Sequence, residues 1–341
     1  SGTTETEKEL LEISLSARDQ SLTHADRLSI IEVSYLALTR AIIPVLHQSS
    51  SLSFVKQRFN ALEELFKGVQ LLGELPEKTI HEIVNHASIL SSYLFASACK
   101  AILNNTQWID GREILVAERV NGAIVCNEKA SKTNLQQNWN RLEPGIKIIS
   151  GSAARDAKGN TIVFGKGGGD LSASIFAGLL NAVEIEIWSS QNTYATADPL
   201  LVKNAKPIQE LTYQEAIELS HFENSLVAPA ALNHAVKKKI PISIFSFENL
   251  TGTSTRITQD LNPKTEMITG ISSLDNVALI SIEGSGMIGV PGFAKRVFAG
   301  LNDASINVIL ISQGSSEHSI CVAVHNDEKN KAIAALENTF E

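Results

Sequence analysis

Apolar positions recur at helical spacing over roughly the first hundred residues. A polar stretch, residues 1–8, frays or caps a first helix opened by Leu10, Leu11, Ile13 and Leu15. Leu28, Ile31, Val33, Leu36, Leu38, Ile42, Val45 and Leu46 fall near a period of about 3.6 and predict a helix over Asp26–His47. Val55, Phe59, Leu62, Leu65, Phe66, Val69 and Leu72 repeat the pattern over Leu52–Leu72, with Gly73 as its stop. Pro76 opens a third long helix, running to about Leu103, because proline is at home in a first turn. The pattern then changes to short apolar runs: 107–110, 114–116, 123–126, 147–150, 161–164, 183–188 and 240–245 read as strands. Helical stretches separate several of them: 127–145 as a polar surface helix or loop, 171–182, 212–223 and 229–239. Thr212 with Glu215 forms a capping box. Strands alternating with helices predict an α/β domain with a mostly parallel sheet covered by helices. Ligands of such sheets sit outside the carboxyl ends of the strands.

From Met267 the order shifts to strand 277–282, helix 293–302, strands 306–312 and 318–324, and helix 328–340. This βαββα order is ferredoxin-like without its last strand. The expected organisation is therefore residues 1–260 as one α/β domain, helical over residues 1–104, and 261–341 as a smaller incomplete module, with Asn262-Pro263-Lys264 as linker.

The 341 residues carry a net charge of −8, which argues against nucleic-acid and membrane-surface partners. Lys237-Lys238-Lys239 is a short run that reads as a solvated helix end. Cys99, Cys126 and Cys321 lie far apart in no metal or disulfide spacing, as free thiols of a reducing, cytoplasmic compartment do. No apolar span is long enough for a membrane helix, and no signal peptide is visible. The chain begins at Ser1 without a methionine, consistent with a trimmed chain. His86, His221, His234 and His318 are scattered, so no metal is expected.

Candidate chemistry concentrates at Gly165-Lys166-Gly167-Gly168-Gly169-Asp170. Four glycines between a strand and a helix permit positive φ and close approach to backbone N–H groups. The helix behind them adds partial positive charge, which favours an anion such as phosphate. Lys166 supplies a full charge, but no Gly-Lys-Ser/Thr closes a P-loop. The same spacing also serves a tight strand-to-helix turn with no ligand. Trp188, at a strand end, reads as core rather than as a stacking platform.

These residues together resemble the aspartate kinase family, whose members have an amino-acid-kinase domain followed by paired ACT regulatory modules. The resemblance rests on Gly165–Asp170 with Leu171-Ser172-Ala173, Glu186-Ile187-Trp188, Thr196-Ala197-Asp198-Pro199, Tyr213–Ala216, Gly252-Thr253, Ile306-Asn307-Val308 and Ile311–Glu317. The tail is most similar to the kinase half of bifunctional aspartate kinase–homoserine dehydrogenases. The resemblance implies transfer of the γ-phosphoryl of MgATP to the side chain of L-aspartate, a reaction that needs cations around the transferred group. It implies that Lys166 and Asp170 serve the transfer. It also implies that Gly165, Gly167, Gly168, Gly169, Ser189, Thr196 and Asp198 hold the nucleotide.

Departures from the family pattern fall on charges. The family's opening Lys-Phe-Gly-Gly-Thr lies before the point where this sequence begins. Ser88 stands where the substrate-positioning glutamate is expected, and Lys166 where the glycine loop carries arginine, losing the bidentate fork. Ser190 replaces the carboxylate of Trp-Thr-Asp, and Ser225 replaces a lysine. Ala195 and Leu200 replace a tyrosine and an arginine around Thr196–Pro199.

In the ACT-like module, Met287 and Gly289 precede a helix, and Asn307, Gln313, Ser315 and Ser316 cluster at strand ends. They are candidates to hold an amino-acid effector, lysine or threonine, and equally to pack a dimer interface. Two functional readings follow. One is an active, feedback-regulated aspartate kinase using ATP with Mg. The other is a kinase-like chain with impaired or lost catalysis and no cofactor, which retains ligand binding or joins an active kinase subunit. The substituted residues favour the second, the family's usual activity the first. Both predict a homodimer, because an exposed sheet edge tends to pair.

Overall fold

The structure, a computed structural model, describes residues 2–21, 23–120, 122–139, 142–190, 193–220, 226–259, 268–284, 291–314 and 319–340. Two compact units divide the chain, Ser1–Ile271 and Ser272–Glu341. The first opens with four long helices: α1 (Gly2–Arg18), α2 (Thr23–Ile42), α3 (Val45–Leu72) and α4 (Glu77–Ile102). The helix expected over Asp26–His47 ends earlier, because Pro44 is the N-cap of α3 and Val45, Leu46 and His47 belong to the next helix. Proline cannot continue the turn before it, and its fixed φ suits the start of a new one. Val45 and Leu46 are 82% and 93% exposed, so their place in the period is coincidental. α1 also starts at Gly2, well before its first apolar anchors. Gly73 ends α3 at φ 64°, as expected. Leu10, Ile13, Val55, Phe59, Leu62, Phe66, Ile83 and Leu90 interlock these helices around one core.

An α/β region follows. Its elements are β1 (Thr106–Ile109), β2 (Ala117–Val120), β3 (Ala123–Cys126), α5 (Glu128–Trp139), β4 (Ile146–Ile149), β5 (Ala153–Arg155) and β6 (Thr161–Val163). Then come α6 (Gly168–Leu180), β7 (Ile185–Ser189), β8 (Glu210–Thr212), α7 (Tyr213–Ser220), α8 (Pro229–Lys238), β9 (Ile242–Ser246) and β10 (Thr255–Thr258). Parallel pairs form the frame: β1 with β4, β7 with β9, and β8 with β10. β9–β10 and the hairpins β2–β3 and β5–β6 are antiparallel additions. The strand expected at 114–116 is absent. Residues Gly111–Glu113 make a one-turn 3-10 helix that drops Ile114 and Leu115 into the core. β10 lies within the expected domain but is not among the expected strands. The capping box holds: the Thr212 hydroxyl accepts the Glu215 N–H at 3.2 Å, and the Glu215 carboxylate accepts the Thr212 N–H at 2.7 Å.

The second unit comprises β11 (Val277–Glu283), α9 (Phe293–Asp303), β12 (Leu310–Gln313), β13 (Ser319–His325) and α10 (Lys329–Phe340). Its antiparallel sheet has the order β11-β13-β12. β12 begins at Leu310 rather than Ile306, because the Ile306 N–H is spent on the Leu301 carbonyl, 2.9 Å away, at the end of α9. Among the described residues β11 pairs on one side only. No helix among the described residues is long and apolar enough to cross a membrane.

Candidate functional site

The glycine loop joins β6 to α6. The helix starts at Gly168, earlier than the expected Leu171, so Gly168, Gly169 and Asp170 form its first turn. Gly165 and Gly167 adopt φ +81° and +75°, which only glycine takes without strain. The Gly168 N–H bonds Gly165 O at 2.9 Å and the Leu171 N–H bonds Gly167 O at 3.0 Å. Gly169 and Asp170 are left as first-turn donors without an intrahelical acceptor. A Cβ at Gly167 would lie 2.4 Å from that of Ala228, and one at Gly168 would lie 3.1 Å from the Phe164 Cβ. At Gly165 nothing stands within 4 Å. Gly167 is thus required by the protein's own packing, and Gly168 is closely packed. The open approach is at Gly165 and the exposed Gly169, beside the exposed Lys166.

Asp170 turns inward. Its carboxylate accepts the Ala228 N–H at 3.0 Å, at the N-cap of α8. Burial pushes its carboxyl above the usual range, and the Ala228 hydrogen bond only partly offsets that. The loop is thereby clamped between α6 and α8.

The floor of the loop is the turn after β4. The Phe164 N–H bonds Ser152 O at 2.9 Å, and the Ser152 N–H bonds the Ser172 hydroxyl at 2.8 Å. Ser172 donates in turn to Gly168 O at 2.6 Å. Ser88, on α4, donates to Gly151 O at 3.0 Å and is buried. A Cβ on Gly151 would stand 3.6 Å from the Gly169 Cα, so Ser88 reaches the loop through one intervening peptide. The Ser88 hydroxyl therefore fixes a backbone carbonyl beside the loop.

Six residues earlier on α4, Glu82 joins a largely buried charged cluster. Arg112 is 7% exposed and pairs with Asp110 at 2.8 Å and Glu82 at 3.2 Å. It also donates to the Thr161 hydroxyl at 2.9 Å, at the start of β6, while Thr161 donates to Glu82. Burial raises the Glu82 and Asp110 carboxyls, but the Thr161 and Arg112 contacts outweigh it and hold both below their usual values. Neither Arg112 nor the Ser152–Ser172 pair stands out in the sequence alone. Asp110-Gly-Arg112 offers a charge pair at turn spacing, whereas nothing local marks the serines.

The remaining candidates are distributed. Ser189 and Ser190 lie at the end of β7, where Ser189 O accepts the Phe247 N–H at 2.8 Å. Thr196 is built into its loop, its hydroxyl accepting the Lys206 N–H at 3.0 Å and its carbonyl the Ile271 N–H at 2.9 Å. Asp198 caps its own turn, accepting the Leu200 N–H at 2.8 Å. Trp188 is not core: it is 41% exposed and stacks on Phe245 at 4.8 Å, because strand alternation places it opposite Ile185 and Ile187. Asn307 precedes β12 and Gln313 ends it, so these two stand at opposite ends of the strand instead of clustering. Ser225, Met287, Gly289, Ser315 and Ser316, with His221, His318 and the 262–264 linker, lie outside the described residues.

The amino acid kinase family matches residues 2–246, and an ACT domain matches residues 280–340. The bifunctional aspartokinase/homoserine dehydrogenase 2, chloroplastic, of Arabidopsis thaliana is 31% identical over 298 residues, 86% of this chain and 32% of that protein. The bifunctional aspartokinase/homoserine dehydrogenase of Haemophilus influenzae is 35% identical over 194 residues, covering 56% of this chain and 24% of that protein. The chain thus spans about a third or less of the length of these relatives. Among solved structures, E. coli aspartokinase III in complex with lysine and aspartate (T-state) superposes with a TM-score of 0.78 at 22% identity, covering 96% of this chain and 74% of that one. Strand order, glycine loop, family match and relatives agree: the chain belongs to the amino acid kinase family, carries an ACT domain, and is homologous to the aspartokinase half of the bifunctional aspartokinase/homoserine dehydrogenases.

Proposed function

We propose that this chain is an aspartokinase homologue whose phosphoryl transfer is impaired or lost and whose retained role is to bind ligand. The observation that carries this reading is the state of the loop's surroundings. Lys166 and Asp170 are its charged side chains, and the Asp170 carboxylate is engaged by the Ala228 N–H. Ser88 is committed to Gly151 O. Phosphoryl transfer relies on several convergent charges to neutralise the transferred group, each worth about 3 kcal/mol. The donors at Gly169 and Asp170, with Lys166, suit one phosphate group of a nucleotide. Gly165 and Gly169 leave it room, whereas the faces of Gly167 and Gly168 are filled. MgATP, if bound, brings the γ-phosphoryl and its metal as substrate, and Lys166 is the side chain placed to draw charge from it. Ser189, Thr196 and Asp198 complete the nucleotide side of this reading.

The amino-acid-kinase-like domain is taken as 1–260 and the ACT-like regulatory domain as 261–341, where lysine or threonine is the expected effector. The relative's structure with lysine and aspartate supports that choice. A second copy, or an active kinase subunit, is the expected partner, because β11 offers an edge unpaired among the described residues. Three free cysteines suit a reducing, cytoplasmic setting.

Steady-state ADP release with MgATP and L-aspartate, read by a coupled assay, tests the reading. ADP formation should not rise above the aspartate-free control. Turnover approaching the typical enzyme value of about 10 per second would establish the other reading, an active kinase with a remodelled site.

A further inference from the structure

α2 carries apolar residues on two sides. Leu28, Ile31, Tyr35 and Leu36 pack into the helical core of the first unit. Ile30, Val33, Ala37 and Ala41 follow at three- and four-residue intervals on the other side and so share one face. All four are exposed, Ile30 at 67% and Val33 at 62%. Exposed single apolar residues are ordinary, but a continuous run along one helix face marks a contact surface.

The charges around this face divide into those used within the chain and those that are not. Arg27 pairs with Glu12 on α1 at 2.7 Å, and Glu32 with Lys56 on α3 at 3.0 Å, so both flanks are tied to neighbouring helices. Asp26 and Arg40 each stand seven residues from Val33, one on either side. Seven residues make two turns with a drift of about 20°, so the three follow one line along the helix. Neither Asp26 nor Arg40 has an ion-pair partner among the described residues, and both are exposed, Arg40 beside the groove between α2 and α3. An acid and a base thus stand about 21 Å apart with an apolar stretch between them.

That line is complementary to itself reversed. An antiparallel second copy of α2, on a two-fold axis through Val33, puts Asp26 opposite Arg40 of the second copy at both ends. Val33 then meets its own equivalent, and Ile30 faces the small Ala37 of the other helix, so a large side chain fills the space beside a small one. A two-fold contact needs one self-complementary surface of this kind. A membrane surface fits less well, because Asp26 stands on the face and the chain has a net charge of −8. We propose that the outward face of α2 is an interface with a second copy of this chain, packed as an antiparallel helix pair. One pair of helices is small beside the roughly 800 Å² per partner of a stable interface, so the contact is weak, with a dissociation constant on the order of 100 µM. It stands apart from the glycine loop and from β11, which lies in the second unit.

Site-directed cross-linking of the full chain tests it. At about 100 µM, Val33→Cys treated with a short bismaleimide should give covalent dimer well above the parent chain, whose Cys99, Cys126 and Cys321 set the background. Leu71→Cys, at an 85% exposed position on α3 outside the face, should stay at that background. In the Val33→Cys chain, Arg40→Asp should slow cross-linking about tenfold, because the two-fold axis repeats the reversed pair. Adding Asp26→Arg should restore the rate, which it would not do for a chain that had merely misfolded. A rate that Arg40→Asp leaves unchanged, or that the double reversal fails to restore, would overturn the proposal. So would Val33→Cys at background, which would leave the face to an unlike partner.

Discussion

At the scale of single residues, stability and site geometry meet in Arg112. It holds α4, the turn after β1 and the start of β6 through Glu82, Asp110 and Thr161. Removing one partner of a buried ion pair leaves the others uncompensated. Arg112→Met should therefore lower unfolding free energy by about 3 kcal/mol in urea titrations at neutral pH. The sign with pH follows from the lowered Glu82 and Asp110 carboxyls. A depressed folded value contributes stability above the ordinary carboxylate range and loses it as pH falls through the folded value. The gap between Arg112→Met and the parent should accordingly narrow under acid. A gap that widened would rule out the ion pairs as its source. Gly167 offers a second test at this scale. Gly167→Ala forces both a positive-φ alanine and a Cβ contact of 2.4 Å with Ala228. It should cost about 2 kcal/mol, of which Ala228→Gly in the same chain recovers the steric part but not the backbone part. Full recovery, or none, would contradict that division. Four glycines and an anion-cradle pattern are legible in the sequence. That two of them make room for Ala228 and Phe164 is not, because those neighbours are set by tertiary packing.

At the scale of elements, periodicity locates most helices and strands and misjudges those whose limits lie in backbone chemistry. Pro44 divides an apparently continuous helical stripe because a ring and a missing N–H outweigh the spacing of Val45 and Leu46. Ile114 and Leu115, apolar enough for a strand, are core residues of a tight turn held by Asp110 and Arg112. Trp188 departs from expectation for a related reason: apolarity alone does not say which face of a strand is covered. β11 is where an element carries a functional consequence. Its edge is unpaired among the described residues, and Leu279 on it is 69% exposed. If this edge joins two copies, Leu279→Lys should shift the chain from dimer toward monomer in light scattering at micromolar concentration, because buried lysines oppose edge pairing. An unchanged dimer would place the interface elsewhere.

At the scale of the whole molecule, two compact units carry an amino acid kinase family match and an ACT domain match, each largely within one unit. The family is legible because its ordered stretches survive: the glycine loop, Glu186–Trp188, Thr196–Pro199 and Ile306–Val308. How the site is wired is not legible. Ser88 reaching Gly151 and Asp170 reaching Ala228 join residues 63 and 58 positions apart, a distance over which local pattern carries no information. In the proposed reading these two bonds matter because each commits a side chain beside the glycine loop to a backbone group. Trapping the product is the most direct measurement. The chain, MgATP and L-aspartate are incubated with hydroxylamine, which converts any acyl phosphate to a coloured hydroxamate. Impaired transfer predicts no hydroxamate above the level without protein. Hydroxamate that accumulates linearly with time and with protein concentration would contradict it.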